Sequence, residues 1–180
     1  MKTFNKRGDG GETDLLYGGR IRKDSARTEA YGTIDEAVSA LGIARALAPH
    51  NEALQLMILQ FQRELFIIGA EMATEPSEYA KLVNNFAQVT PEMVGNLERL
   101  IEEYEDSVPD GFVIPGGSVL SAHLDLARTI VRRAERRCAG LWHERMLANE
   151  QLTRYLNRLA DLLFVLARSE ERGSTIMVKG

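Results

Sequence analysis

Cysteine is almost missing from this 180-residue chain. Cys138 stands alone, so no intrachain disulfide can form. A single thiol fits a reducing compartment, and the expected location is cytoplasmic. Histidine is nearly as scarce: His50, His123 and His143 show no metal-type spacing, and the paired E-x-x-H motifs of a di-iron bundle do not occur. No apolar run reaches the ~18 residues a membrane span needs, and the polar, glycine-rich stretch 1–14 is not expected to act as a secretory signal. An excess of positive charge is also lacking. A net charge of −4 argues against nucleic acid as a general partner. There is no G-x-x-x-x-G-K-[ST] loop, and no Ser–His–Asp or Cys–His arrangement supplies a protein nucleophile. An enzyme of this composition works by positioning and charge stabilisation.

What is present is ordinary for a globular chain: 44% hydrophobic and 27% charged residues. One domain over residues 1–180 is expected. Five segments repeat apolar residues at spacings of three and four, the mark of packed helices. The first carries Ile34, Val38, Leu41, Ala44 and Ala48, and the second Leu54, Ile58, Phe61, Leu65, Ile68 and Met72. The third follows Thr90-Pro91, a cap and a proline suited to a helix start. The fourth runs from Leu120 to Leu141 and the fifth from Leu152 to Leu166. No period-two strand pattern competes, so an all-α, five-helix up-down bundle is expected. Residues 4–24, with five glycines, cannot form a regular helix, and residues 108–118 join the third and fourth helices through Pro115-Gly116-Gly117. Both are candidate functional loops.

Charge is concentrated in the fourth segment. Arg128, Arg132 and Arg136 recur every four residues on one stripe, flanked by Arg133 and Arg137, with Glu135 as the one acid among them. Like charges four apart repel by ~0.2–0.5 kcal/mol per pair, so the cluster implies an anionic partner, either protein carboxylates or a polyphosphate. Arg128 has Asp125 and Asp35 as possible partners, whereas Arg132 and Arg136 suit phosphate through their guanidinium forks. The N-terminal loop adds Lys6, Arg7, Lys23 and the amides around Gly8, a composition that suits an anion nest. On the fifth helix Asn157 has two readings, internal hydrogen bonding or contact with a nucleotide. Asp161 has Arg158 within reach.

These residues also fall into five ordered motifs: Lys6 to Thr13, Gly32-Thr33-Ile34-Asp35-Glu36, Phe112 to Gly117, Ala127 to Arg136, and Tyr155 to Asp161. In that order the chain resembles the PduO-type ATP:cob(I)alamin adenosyltransferases over nearly its whole length. The resemblance implies a homotrimer with active sites between neighbouring subunits. It also implies transfer of the 5′-deoxyadenosyl group of ATP to cobalt, giving adenosylcobalamin and triphosphate, with Mg2+ assisting. By resemblance, an N-terminal loop spanning residues 1–24 binds ATP through Asn5, Lys6, Arg7, Gly8, Thr13, Asp14 and Lys23. Arg132, Arg133, Ala134, Glu135, Arg136 and Asn157 complete the site from the adjacent subunit. Phe112 takes the lower corrin face, and Asp35 and Arg128 form an intersubunit salt bridge. Arg132, Glu135, Arg136 and Phe112 are the candidate catalytic set. A reductase and an adenosylcobalamin-dependent enzyme are the implied protein partners.

Overall fold

The structure, a computed structural model, describes residue 4, residues 6–171 and residues 173–178. Their elements in chain order are β1 (Glu12–Asp14), β2 (Arg20–Arg22), α1 (Ala26–Ala46), α2 (Glu52–Met72), α3 (Tyr79–Asn85), α4 (Pro91–Tyr104), β3 (Val113–Ile114), α5 (Val119–His143), α6 (Gln151–Ser169) and β4 (Ile176–Met177). The expectation of five helices is therefore corrected to six. α3 is a two-turn piece with only Leu82 buried, too short to carry a readable apolar period.

The helix boundaries follow from local chemistry. Ser25 caps α1 by accepting a hydrogen bond from the Thr28 amide, so this helix begins well before Ile34, the first residue of its apolar repeat. Asn51 and Thr90 cap α2 and α4 in the same way, with Pro91 at the first helical position of α4. Ser118 and Ser121 exchange side-chain-to-backbone bonds as a capping box for α5.

α1 packs between α2 and α5, α5 packs against α6, and α6 against α4. Their apolar stripes meet in one core that includes Leu41, Ile58, Leu65, Met72, Leu124, Leu141 and Leu156. Burying each such side chain contributes ~1.5–3 kcal/mol. The short strands, which the hydrophobic pattern did not announce, pair antiparallel in two separate two-stranded sheets: β1 and β2 form a hairpin, and β3 pairs with β4 from beyond α5 and α6.

Buried polar groups tie the connections to this frame. Arg27, 4% exposed, donates to the carbonyls of Met72 (2.7 Å), Thr74 (2.9 Å) and Met146 (2.6 Å). It thereby satisfies carbonyls that the end of α2 leaves without helical partners. Glu71 accepts from the Tyr79 hydroxyl (2.7 Å), the Val89 amide (2.6 Å) and the Asn149 side chain (2.9 Å).

Candidate functional site

The arginine cluster of α5 divides by partner. Arg133 forms an ion pair with Glu36 of α1. Arg137 reaches Glu29 at 2.8 Å and the Glu29 carbonyl at 2.9 Å. Arg128 donates to Asp125 at 2.9 Å, one turn back on its own helix. These three are neutralised within the chain. Arg132 and Arg136 are exposed. Arg132 has only Glu135, at 3.7 Å. Arg136 donates to the Arg132 carbonyl at 3.1 Å and, among the described residues, forms no ion pair. The two arginines expected to meet phosphate are thus the two that the protein leaves least neutralised.

α6 supplies the adjoining groups. Asn157 donates to Glu135 at 2.9 Å and accepts from Arg158 at 2.7 Å. Arg158 is held in turn by Glu98 of α4 at 2.8 Å. Its contact with Asp161 is longer, 3.8 Å. Partial burial raises the Asp161 carboxyl above its ordinary value, opposed by the nearby Arg158 and Arg132 charges. Two clefts open here. One of about 530 Å3 is lined by Glu98, Glu135, Thr153, Asn157 and Arg158. The other, about 330 Å3, is lined by Arg128, Arg132, Asp161, Phe164 and Val165. Ala134 lies wholly inside the core and presents no side chain to either.

The N-terminal candidates form a third cleft of about 320 Å3, lined by Arg7, Gly8, Glu12, Thr13, Asp14, Arg20 and Lys23. The β1–β2 hairpin builds it. The Lys23 amide closes onto the Gly11 carbonyl at 2.9 Å, and Gly11 takes φ +79°, a conformation open to glycine. Gly8 lies against the end of the Lys23 side chain: a Cβ there would stand 2.8 Å from the ammonium. Asp14, a carboxylate ill suited to a phosphate site, is paired with Arg7 at 3.2 Å and lies 3.9 Å from Arg20. Lys6 is exposed beside them. Asn5 lies outside the described residues.

Phe112 is 84% exposed, an unusual position for a large aromatic ring. Its loop is not free-standing: the Val178 amide donates to the Phe112 carbonyl at 2.8 Å, and β3 continues the pairing with β4.

Asp35 is exposed, and among the described residues no ion pair joins it to Arg128. It borders an apolar hollow of about 290 Å3 together with Leu16, Tyr31, Ile34 and the 65% exposed Phe66. No residue of the N-terminal cleft lines either cleft of the α5–α6 face.

Several participants were not foreseen. Glu29 and Glu36, seven apart, share one face of α1 and match Arg137 and Arg133, four apart on α5. That complementary spacing is legible in hindsight. Glu98 and Arg20 carry no comparable signal. Neither does the buried group of Asp125, Arg168 and Glu171, which depends on how the ends of α5 and α6 meet.

The cobalamin adenosyltransferase family profile matches residues 3–170. Corrinoid adenosyltransferase of Bacillus subtilis is 43% identical over 175 residues, covering 93% of this chain and 86% of its own. That of Citrobacter freundii is 40% identical over 172 residues, covering 94% and 95%. Among solved structures, a variant PduO-type ATP:co(I)rrinoid adenosyltransferase from Lactobacillus reuteri complexed with ATP superposes with a TM-score of 0.89 at 31% identity, over 99% of this chain and 100% of that one. A second variant of PduO-type ATP:corrinoid adenosyltransferase from the same organism, complexed with cobalamin and ATP, gives 0.86 at 32% identity, over 95% and 91%.

Proposed function

Because the chain belongs to the cobalamin adenosyltransferase family, we propose that it transfers the 5′-deoxyadenosyl group of ATP to the Co(I) centre of a reduced corrinoid. The cobalt electron pair forms the bond to C5′. The C5′–O bond breaks, and its electrons leave on triphosphate. Cobalt is both substrate and nucleophile, which accounts for a chain with no Ser, Cys or His poised for attack.

The observation that carries the reading is the division of the α5 arginines. Arg136 forms no ion pair among the described residues and Arg132 only the 3.7 Å one to Glu135, so both keep most of their charge where triphosphate would depart, and charged donors at a leaving group are among the strongest catalytic devices. Glu135 orients Arg132 and fixes the Asn157 amide, leaving Asn157 to meet the nucleoside. Arg133 acts by holding α5 to α1, and Ala134 by filling the core.

The N-terminal cleft holds the other part of ATP through Lys6, Arg7, Gly8, Thr13 and Lys23, with Asn5 beside them. This cleft and those of the α5–α6 face have no lining residue in common, which suits a complete site formed between adjacent subunits. A homotrimer is the proposed assembly, and the apolar hollow beside Phe66 is suited to burial there. Asp35, at its rim, meets Arg128 of the next subunit. Phe112 offers its bare ring to the lower corrin face, where no polar atom can ligate cobalt.

Among the described residues no group of three His, Cys, Asp or Glu side chains could cage a metal. Mg2+ would be held on the triphosphate oxygens with its own water, the mode it commonly adopts; Glu12 and Asp14 are the carboxylates on the N-terminal cleft that could accept from that water. The proposed location is the cytoplasm, with a corrinoid reductase and an adenosylcobalamin-dependent enzyme as partners. No helix is long and apolar enough to cross a membrane.

The test is incubation with ATP and chemically reduced cobalamin, following formation of the cobalt–carbon bond and of triphosphate. Both should appear in equal amounts. Binding of ATP and corrinoid without either product would point instead to a sensor that has kept the fold and lost the chemistry.

A further inference from the structure

The Phe112 loop and the arginine stripe are joined through the interior by a run of contacts centred on Arg168. This side chain is 1% exposed. It forms an ion pair with Asp125, whose other oxygen accepts from Arg128 at the edge of the site. It also lies 3.0 Å from Glu171, itself fully buried. Glu171 packs against Gly117 so closely that a Cβ there would stand 2.9 Å from the Glu171 side chain and from the Ser174 carbonyl. Ser174 completes the run by donating to the Gly117 carbonyl at 2.7 Å. Gly117 ends the loop that begins at Phe112, and Ser174 leads into β4, which pairs with β3 inside that loop.

We infer that Arg168 is a positioning residue for the transfer reaction: through Asp125 it sets Arg128, and through Glu171 and Ser174 it sets the height of the Phe112 loop. Phe112 needs such support. Its side chain is almost wholly in solvent, so packing against the core cannot hold its place, and the strand-and-carboxylate anchor behind it must. The same guanidinium stacks over Phe164 at 5.0 Å, with Arg128 over that ring at 5.8 Å. The cleft wall beside Arg132 thus belongs to the same unit.

This inference rests on the proposed role of Phe112 at the corrin, and the experiment separates the two. Cob(II)alamin is added to the ATP-loaded protein, and the four-coordinate Co(II) signal is read by electron paramagnetic resonance for Arg168→Lys, Ser174→Ala and Phe112→Ala. ATP affinity is measured alongside by calorimetry. Arg168→Lys keeps the buried charge but removes the planar guanidinium that lies over Phe164 and moves the single nitrogen shared by Asp125 and Glu171. Ser174→Ala removes loop hydrogen bonds without touching any charge. Both should bind ATP as the parent does, within about twofold, while the four-coordinate signal falls several-fold. An unchanged signal in both variants, with the signal lost in Phe112→Ala, overturns the positioning role alone. An unchanged signal in Phe112→Ala removes the premise, and the inference falls with it. Equal losses of ATP affinity and signal in both variants would reduce Arg168 to a purely structural residue, which also overturns it.

Discussion

Two faces of α5 carry residues with opposite duties, and substitution separates them. Arg132 is half-exposed with one distant acidic partner, so Arg132→Ala should shift stability by no more than about 0.5 kcal/mol. Turnover should fall by about 10²–10³, the usual cost of removing one donor at a developing anion. Steady-state rates and a thermal melt check the pair; normal turnover would remove Arg132 from the triphosphate. Cys138, two turns further on, behaves in the opposite way. Burial in the core pushes its thiol up from 9.0 to about 11. In the folded protein the neutral thiol is favoured, so this contribution to stability is complete below pH 9 and is lost as pH rises through 9 towards 11. At pH 8 a thiol reagent should react only after denaturant is added. Rapid stoichiometric labelling of the native protein would contradict that burial.

At the level of elements, the long helices carry the core and one side of the candidate site, and the short strands and loops carry the other. Ser118 starts α5 through the capping box, and Ser118→Ala should cost about 0.5–2 kcal/mol, visible as a lower urea midpoint at unchanged slope. A midpoint within error of the parent would mean the box contributes nothing. The five long helices were readable because Leu, Ile and Val repeat at helical spacing over three turns or more. α3 and the four strands were not, because strands of two or three residues and a seven-residue helix with one buried side chain cannot express a period. The same limit divides the candidate site. Arg132 and Arg136 stand out as a charge pattern within one helix, and Gly8 with Lys23 as loop composition. The Arg168 group escapes notice because Asp125 lies 43 residues before Arg168, and only the packing of α5 on α6 adds it to the local Arg168–Glu171 pair. The first turns of α1 escaped for another reason: Arg27 and Thr28 look polar, yet both are buried, because backbone carbonyls rather than apolar groups surround them.

For the whole molecule, the decisive question is whether one chain can work alone. If the site is shared, Lys6→Ala damages one half and Arg132→Ala the other, and each protein should be nearly inactive. Unfolding and refolding them together in equal amounts should restore activity. In a random closed ring about a quarter of the interfaces would pair an intact hairpin with an intact α5. Recovery near a quarter of parental activity is the expected reading. None at all would place the whole site within one subunit. The division of the arginines also bears on how ATP arrives. Had all five stayed unpaired, they would throw a broad positive field over an acidic protein, drawing polyanions to a whole flank. With Glu29, Glu36 and Asp125 cancelling three of them, the attraction shrinks to a spot no wider than the ~8 Å screening distance of physiological salt. Long-range steering of ATP is given up, and selection is left to contact: only an anion already seated in the cleft feels the two remaining charges in full.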